Sequence, residues 1–427
     1  MRMVQSEDHH GSHRRLLSTP DNTDPAHGKV DAIFVPTVRD PAHLVHAAEL
    51  AALLRCPLVT LHSGKWTSAR SAAERLASLT DLLAIDVPDP GLLRLPDFAT
   101  TRLPPSKFTR QTDTSAKRNL ALMLSHRLGW QRIIFLDDDI FVDNVDDLRT
   151  AAGLLSTYNA VGLSIGGFPD NSVVCHAYRA VGGAQQSFIG GGALAVELTR
   201  NQSFFPKIYN EDWFYLLDAE KGLQQLAVTG AVRQRPYDPF RSPERARSEE
   251  FGDVLAEGVF WLLDQGRSLA EADRDHWRDF LARRDRFIDR VLTSTRTAPL
   301  DEGERKRMIA ALRAAKVRLA QITPALCRGY LRALADDQRR WQRHIERRRK
   351  PMTLEAALKT LTKPGSAPLR WEIRNNSDRL PYDRTSGSSD WTRRLSNPYT
   401  TVISPPQATR RRTDAIGVAG RPGTGRS

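Results

Sequence analysis

The stretch Arg132-Ile-Ile-Phe-Leu-Asp137-Asp138-Asp139 carries the clearest structural signal in this chain of 427 residues. Its apolar part, 133–136, predicts a strand buried on both faces, as in a parallel sheet. Three carboxylates follow at the carboxyl end of this strand, where ligands bind in open α/β sheets. Because adjacent carboxylates repel one another, a cation is expected to neutralise them. Residues 137 and 139 of an extended chain point to the same side and suit a Mg²⁺ or Mn²⁺ ion shared with a diphosphate.

Strand-like and helix-like patterns alternate on both sides of this stretch. Short apolar runs predict strands, and apolar residues three or four positions apart predict helices. Parallel strands need a crossover, which is usually a helix, so the alternation predicts an α/β fold with a parallel sheet. The predicted strands are 32–35, 57–61, 132–136, 161–165, 193–196 and 225–229, and the predicted helices are 42–54, 116–128 and 213–221.

Beyond Gly266 the chain becomes basic and its apolar residues recur at helical spacing. We expect residues 267–350 to form a basic helical subdomain that follows an α/β domain at 30–266. Such a subdomain packs on the α/β domain or on a second subunit, so a homo-oligomer formed through these helices is a further expectation. The three predicted helices are 270–292, 301–322 and 326–345.

Composition limits the class of protein. The net charge is +13, but the excess lies mainly in two flanks and no zinc-finger or RNA-binding signature occurs, so no specific nucleic acid is expected as a partner. No apolar stretch reaches the roughly 18 residues of a transmembrane helix. The three cysteines lie far apart, which excludes a disulfide framework and predicts a cytoplasmic location. The polar ends, 1–29 and 351–427, are predicted to be largely disordered.

Four further motifs accompany the acidic triplet. They are Ile33-Phe34-Val35-Pro36-Thr37, Ser115-Ala116-Lys117-Arg118-Asn119, Phe188-Ile189-Gly190-Gly191-Gly192-Ala193 and Asn210-Glu211-Asp212-Trp213. In type and order they resemble the motifs of the GT-A glycosyltransferases, especially the family-2-like inverting group, over roughly residues 30–235. The resemblance implies a GT-A-type, Rossmann-like mixed sheet flanked by helices. It also implies transfer of a hexose-like sugar from a nucleotide-diphosphate sugar to an acceptor hydroxyl.

The resemblance further implies a role for individual residues. Asp137 and Asp139 would hold Mn²⁺ or Mg²⁺, and Asp212 would act as general base beside Glu211, which would bond the acceptor or the main chain. Gly191, Gly192 and Trp213 would lie on the acceptor side. The residues implied to bind the donor are Pro36, Thr37, Arg39, Lys117, Arg118, Asn119, Asp137 and Asp138.

Each motif also has a plain structural explanation. An acidic triplet can be an exposed turn that caps a helix, glycine triplets form bulges, and Glu211-Asp212 can charge a helix N-terminus. Lys117 and Arg118 can be surface residues. The chain also has Ser63-Gly64-Lys65 where family members often place an acid, and no histidine stands clearly as a third metal ligand. The nucleotide, the acceptor and the full metal coordination therefore stay open.

Two other functions compete with this interpretation. Haloacid-dehalogenase-like phosphatases also use Asp-x-Asp after an apolar strand, and Gly252-Asp253 could serve as their late acidic pair. Phe141 stands where those enzymes have Thr or Val, however, and about a hundred residues of strand–helix pattern precede the triplet. The other candidate is a non-catalytic basic adaptor on a degenerate GT-A scaffold. Its contacts would be Arg283, Arg284, Arg339, Arg340 and Arg347–Arg349.

Overall fold

A nine-stranded mixed sheet forms the centre of the computed structural model. The structure describes residues 7–20, 27–108, 111–166, 172–184, 189–200, 202–218, 222–346 and 351–375. All of them belong to the first of the chain's two units, Met1–Arg379; the second is Leu380–Ser427. The strands are β1 Ala32–Thr37, β2 Leu58–His62, β3 Leu82–Asp86, β4 Arg132–Leu136, β5 Ile140–Phe141, β6 Ala160–Gly166, β7 Ala193–Glu197, β8 Leu217–Asp218, β9 Gly222–Leu223, β10 Leu226–Gln234 and β11 Arg370–Arg374.

The strand order β11-β3-β2-β1-β4-β7-β6-β10-β5 creates a switch point between β1 and β4. From β1 the chain builds outward through the parallel strands β2 and β3, and then returns to place β4 parallel on the other side of β1. Ligands of open α/β sheets bind at such a point, outside the carboxyl ends of the strands. Strand β7 runs antiparallel to β4, with Ala193 opposite Leu136, so its first residues lie at the same edge.

Helices cover both faces of the sheet. One face packs against α1, α2 and α5, and the other packs against a larger apolar cluster that includes α4, α6 and α8 to α11. Within the described residues, no helix is both long and apolar enough to cross a bilayer. The helices are α1 Val45–Leu54, α2 Ala69–Leu76, α3 Ala99–Arg102, α4 Thr114–Leu128, α5 Val145–Leu154, α6 Val173–Ala180, α7 Glu211–Tyr215, α8 Pro243–Asp264, α9 Arg274–Thr297, α10 Glu302–Leu319, α11 Pro324–Glu346 and α12 Leu354–Lys359.

The sheet is mixed, and each predicted strand is present within a few residues of its expected bounds. The α/β class is therefore confirmed. The predicted helix 213–221 is wrong, because α7 ends at Tyr215 and the β8–β9 hairpin follows it. Gly222 has a φ of +84° and begins β9 instead of ending a helix. Lys221 lies outside the described residues. Three predicted basic helices correspond to α9, α10 and α11; that they form a separate subdomain stays a prediction.

Parts of both ends are ordered, so the prediction of disorder does not hold there. Asp8 pairs with Arg286 at 2.8 Å, and the Ser18 amide donates to the Leu226 carbonyl at 3.0 Å. At the other end β11 pairs antiparallel with β3. These contacts cover polar groups that the sheet and α9 would otherwise expose. Residues 1–6, 21–26 and 376–427 lie outside the described residues.

Candidate active site at the carboxyl ends of β1 and β4

The acidic triplet lies at the switch point. The Thr37 hydroxyl, at the end of β1, donates to Asp138 Oδ2 at 2.5 Å and accepts the Arg39 amide at 3.0 Å. The Arg39 guanidinium then spans two carboxylates, with Nη1 2.9 Å from Asp138 Oδ1 and Nη2 3.1 Å from Asp139 Oδ2. Thr37, Arg39, Asp138 and Asp139 thus form one polar group, as expected for neighbouring strand ends.

Arg118 joins the triplet to the Glu211-Asp212 motif. From α4 its Nη2 donates to Asp137 at 3.0 Å, and its Nη1 donates to Glu211 Oε1 at 3.0 Å. The guanidinium also lies over the Phe205 ring at 5.5 Å. Gly191 makes this packing possible, because a Cβ atom there would lie 2.6 Å from the guanidinium carbon. Four of the sequence motifs therefore meet around one buried arginine.

Two backbone N–H groups fix the orientation of the Asp212 carboxylate. Its Oδ2 accepts the Gly191 amide at 2.6 Å, and its Oδ1 accepts the Trp213 amide at 3.0 Å. Asn210, just before it, has a φ of +60°, a left-handed conformation that asparagine tolerates better than most residues. Burial and the neighbouring Glu211 raise the pKa of Asp212, while Arg118 and the two amides lower it. A carboxylate whose pKa is raised toward the working pH is better suited to accept a proton.

Asp137 and Asp138 have raised pKa values as well. Burial raises the pKa of Asp137 to about 7, against the opposing effect of Arg118 and with the help of Asp139 and Asp138. Burial also raises the pKa of Asp138, although the Thr37 hydroxyl and Arg39 lower it. Burial therefore disfavours the charged form of Asp137 and Asp138, even with two arginines in contact with the triplet.

Two predicted donor-binding side chains are turned inward. The Lys117 amino group donates to the Thr37 carbonyl at 2.8 Å and to Ser63 Oγ at 2.7 Å, and it pairs with Asp113 at 3.1 Å. These contacts join the ends of β1 and β2, because a lysine has three N–H groups to donate. The Asn119 amide pairs with both backbone groups of Phe205 at 2.8 Å. Both residues position the site, and donor contact by either stays a prediction.

The remaining predicted residues lie close to this centre. Pro36 is buried within β1. The Gly192 carbonyl accepts the Asp137 amide at 2.9 Å. Trp213 packs edge-on against Phe260 and His13, with ring centroids 4.9 Å and 5.5 Å away, so it faces α8 and the N-terminal segment. Phe188, part of the glycine motif, lies outside the described residues.

All three acids of the triplet offer carboxylate oxygens to a divalent cation, and each of them contacts an arginine. Arg118 Nη2 lies 3.0 and 3.3 Å from the two Asp137 oxygens. The Arg39 guanidinium, a cation, bridges Asp138 and Asp139. Carboxylate oxygens are the ligands that Mg²⁺ and Mn²⁺ favour. The metal pair Asp137 and Asp139 stays a prediction, and Asp138 and Asp139, which Arg39 bridges, form a second candidate pair.

A buried charged network on α8 was missed by the sequence analysis. Arg284 makes two contacts of 2.9 Å with Glu250 and one of 2.5 Å with Asp253. Asp253 in turn accepts the Asn210 amide at 3.3 Å, which links the network to the Glu211 turn. Cys175, Asp253 and Glu257 have ligand atoms within 4.8 Å of one another. Since Arg284 already supplies positive charge there, the group is explained as an ion-pair network.

The buried His62 makes the stability of the fold depend on pH. It lies at the end of β2, where its ring nitrogens bond Thr67 at 2.8 Å and Thr60 at 2.7 Å. Burial, helped by the charge of Lys117, lowers the pKa of His62 to about 3. Between pH 6.5 and about 3, His62 is therefore protonated in the unfolded chain but not in the folded chain. The contribution of His62 to stability is fully present above pH 6.5 and is lost as the pH falls toward 3.

We expect His62→Gln to reduce this loss. A single histidine contributes a slope of up to about 1.4 kcal/mol per pH unit to the free energy of unfolding. Urea unfolding at pH 7, 6 and 5 measures the slope, and exposed His27→Gln is the control. An unchanged slope in the His62 variant, or an equal change in the control, would contradict the assignment. The other histidines with lowered pKa values are His46, His126, His176 and His276.

Comparison with solved structures finds a likeness in fold, whereas comparison of sequences finds none. No protein-family model and no curated protein matches the chain. Among solved structures it is similar to the mannosyltransferase PcManGT from Pyrobaculum calidifontis, a structure in complex with GDP-Man and Mn²⁺. The TM-score is 0.37 and the identity 16%, over 76% of this chain and 92% of that chain. At this level of similarity, the function has to be argued from the site itself.

Proposed function

We propose that the protein is a glycosyltransferase that moves a sugar from a nucleotide-diphosphate sugar to an acceptor hydroxyl. One observation supports this most: Arg118 holds Asp137 and Glu211 at 3.0 Å each, at the switch point of the sheet. The acidic triplet, which would bind the donor's metal, and the Glu211-Asp212 pair, which would take the acceptor's proton, are thereby held together by one arginine. In this proposal residues 30–266 are the catalytic domain and 267–350 a helical subdomain, in a cytoplasmic protein.

A bound Mn²⁺ or Mg²⁺ would neutralise the diphosphate of the donor. Asp138 and Asp139 would hold it, and the Thr37 hydroxyl would orient Asp138 through their 2.5 Å hydrogen bond. Asp212 would take the proton of the acceptor hydroxyl as that oxygen attacks the anomeric carbon, while the bond from this carbon to the nucleoside diphosphate breaks on the opposite face; the configuration at the anomeric carbon is thereby inverted. The Gly191 amide fixes the orientation of this carboxylate. Glu211, paired with Arg118, is left to position the motif.

The phosphatase alternative is less well supported by the contacts. Its nucleophile would be Asp137, but Arg118 Nη2 lies within 3.3 Å of both carboxylate oxygens. Its late acidic pair would be Gly252-Asp253, which lies inside α8 with Asp253 paired to Arg284. A carboxylate held in an ion pair is a weaker nucleophile, and Asp253 is likewise held by Arg284.

The adaptor alternative loses Arg284 as a contact, because this arginine is buried. Arg284 is buried in its ion-pair network, and Arg339 and Arg340 pair with Asp336 and Asp337 in α11. Arg347–Arg349 lie outside the described residues. Affinity for nucleic acid comes from cations that are free to meet phosphates. Arg284 is therefore not available to a phosphate, whereas Arg339 and Arg340 are held by ion pairs at the surface.

We expect nucleotide diphosphates to stabilise the protein only together with Mn²⁺ or Mg²⁺. A ligand at 100 times its Kd adds about 2.7 kcal/mol to the free energy of unfolding, which thermal unfolding with UDP, GDP and their sugars measures. Asp139→Asn should abolish the metal-dependent part. Asp143→Asn, an exposed acid bound to Arg233, is the control and should keep it. Tight donor binding in excess EDTA would contradict the metal assignment.

A further inference from the structure

The acidic triplet is neutralised by two arginines in different settings. Arg118 is 4% exposed and packed against Gly191, so it has little room to move. Arg39 is 42% exposed on the loop that follows β1. Its backbone amide is held by the Thr37 hydroxyl at 3.0 Å, while only its guanidinium contacts the acids. A change of side-chain rotamer is therefore enough to release Asp138 and Asp139 without moving the backbone.

Arg39 and a divalent cation need the same two carboxylates. The guanidinium uses Asp138 Oδ1 and Asp139 Oδ2, at 2.9 and 3.1 Å. A metal ion bound by these acids would lie close to the positively charged guanidinium, and the two cations would repel each other. The two cations therefore exclude each other from this position.

We infer that Arg39 is a displaceable counter-ion that occupies the metal position of this site until a metal–diphosphate complex replaces it. The inference rests on the proposed function. A diphosphate arriving with the metal gives the released guanidinium a new anionic partner, since arginine pairs well with phosphate oxygens. Metal and nucleotide then strengthen each other's binding, because coupling between two ligands is reciprocal. The metal alone binds weakly, since it must break two contacts of Arg39 without this compensation.

A neighbouring arginine provides a matched control. Arg235 also lies beside the triplet, with its backbone amide 2.9 Å from the Asp139 carbonyl. Its guanidinium lies 2.9 Å from His43 Nδ1 and 4.7 Å from the centre of the Phe141 ring. Among the described residues it contacts no carboxylate. Removing Arg235 therefore removes the same charge from the same neighbourhood without freeing a metal ligand.

The test is a titration of the full-length protein with Mn²⁺, followed by the EPR signal of the free ion at fixed ionic strength. In the absence of nucleotide, Arg39→Gln is expected to bind Mn²⁺ about tenfold more tightly than the wild type does. This difference corresponds to the free energy of one or two exposed ion pairs. Arg235→Gln is expected to stay within about twofold. Adding Asp139→Asn to Arg39→Gln should remove the gain, which places it at this carboxylate.

The same titration with UDP or GDP measures the coupling. In the wild type the nucleotide should raise Mn²⁺ affinity, and in Arg39→Gln it should raise it less, because the site is already open. Arg39→Lys keeps the charge but cannot bridge two carboxylates as a guanidinium does, so it should show an intermediate gain. This variant also keeps the test valid if thermal unfolding shows that Arg39→Gln is not folded.

Two results would overturn the inference. One is an Mn²⁺ affinity of Arg39→Gln equal to that of the wild type, and the other is an equal gain in Arg235→Gln, which would indicate a general charge effect. Failure of the proposed function has a different signature: no UDP or GDP compound binds to any variant with Mn²⁺ present. A gain confined to Arg39→Gln in that case still supports the counter-ion role.

Discussion

Asp212→Asn is expected to lower turnover by about 10²–10⁴-fold, the usual contribution of a general base, while donor binding is retained. The substitution keeps the size of the side chain and removes its ability to take a proton. Asp212 is favoured over Glu211 because Glu211 is paired with the buried Arg118 at 3.0 Å, which holds its charge in place. The measurement compares single-turnover rates and donor affinity in wild type and variant, once a donor and an acceptor are identified.

Asparagine can turn its amide oxygen or its NH₂ group toward the Gly191 amide, so the local fold needs its own check. Thermal unfolding and donor affinity within about twofold of the wild type would show that the site is intact. Glu211→Gln is the matched comparison. A variant Asp212→Asn that turns over within a few-fold of the wild type, beside an inactive Glu211→Gln, would reverse the two roles. Full activity of both variants would show that Glu211 and Asp212 have no catalytic role and serve only in the first turn of α7.

The strands and the site motifs could be predicted because their signals are local. The run 133–136 is apolar on both faces, and the acids follow directly, so a buried strand that ends at a ligand site is implied by neighbouring residues alone. The meeting of Thr37 with Asp138, about a hundred residues apart, follows from parallel pairing of β1 and β4. The order of the strands and the contacts between distant side chains depend on tertiary packing, so a local sequence pattern does not predict them.

The helix α8 shows why part of the structure was missed. It buries Glu249, Glu250, Asp253 and Glu257, so its inner face does not read as apolar. The burial of Glu250 and Asp253 is explained by their partner Arg284, which lies in α9, 31 positions after Asp253. A weaker signal was available at its start, where Ser242 caps the helix and Pro243 takes the first position.

The assignment of Arg118 changed for a similar reason. Its sequence context indicates a donor-binding or surface residue, because lysine and arginine are usually exposed. The structure buries it between two acids and beside a glycine, with only 4% of its side chain exposed. The glycine is the sequence signal that could have indicated this. Gly191 lies 73 positions away, however, and a close approach of that kind becomes visible only in the folded chain.

This burial makes Arg118 the residue whose loss should cost the most stability. Arg118→Met is expected to lower the free energy of unfolding by about 3–5 kcal/mol near pH 8, the usual cost of leaving buried charges without their partner. Asp137 and Glu211 would then repel each other across the space that the guanidinium fills. The loss should be smaller near pH 5, because Asp137, whose pKa burial already raises, can take up a proton there and become neutral. Urea unfolding at the two pH values measures both effects.

Two further variants separate charge from packing. Arg39→Met removes an arginine from the same triplet, but this one is 42% exposed, and it should cost no more than about 1 kcal/mol. Adding Glu211→Gln to Arg118→Met removes one of the two acids that lost their partner. It should recover part of the stability, whereas a loss caused by a cavity alone would not be recovered. Equal costs for the Arg118 and Arg39 variants would show that Arg118 does not hold the two acidic motifs together, and the central support for a shared active site would then be lost.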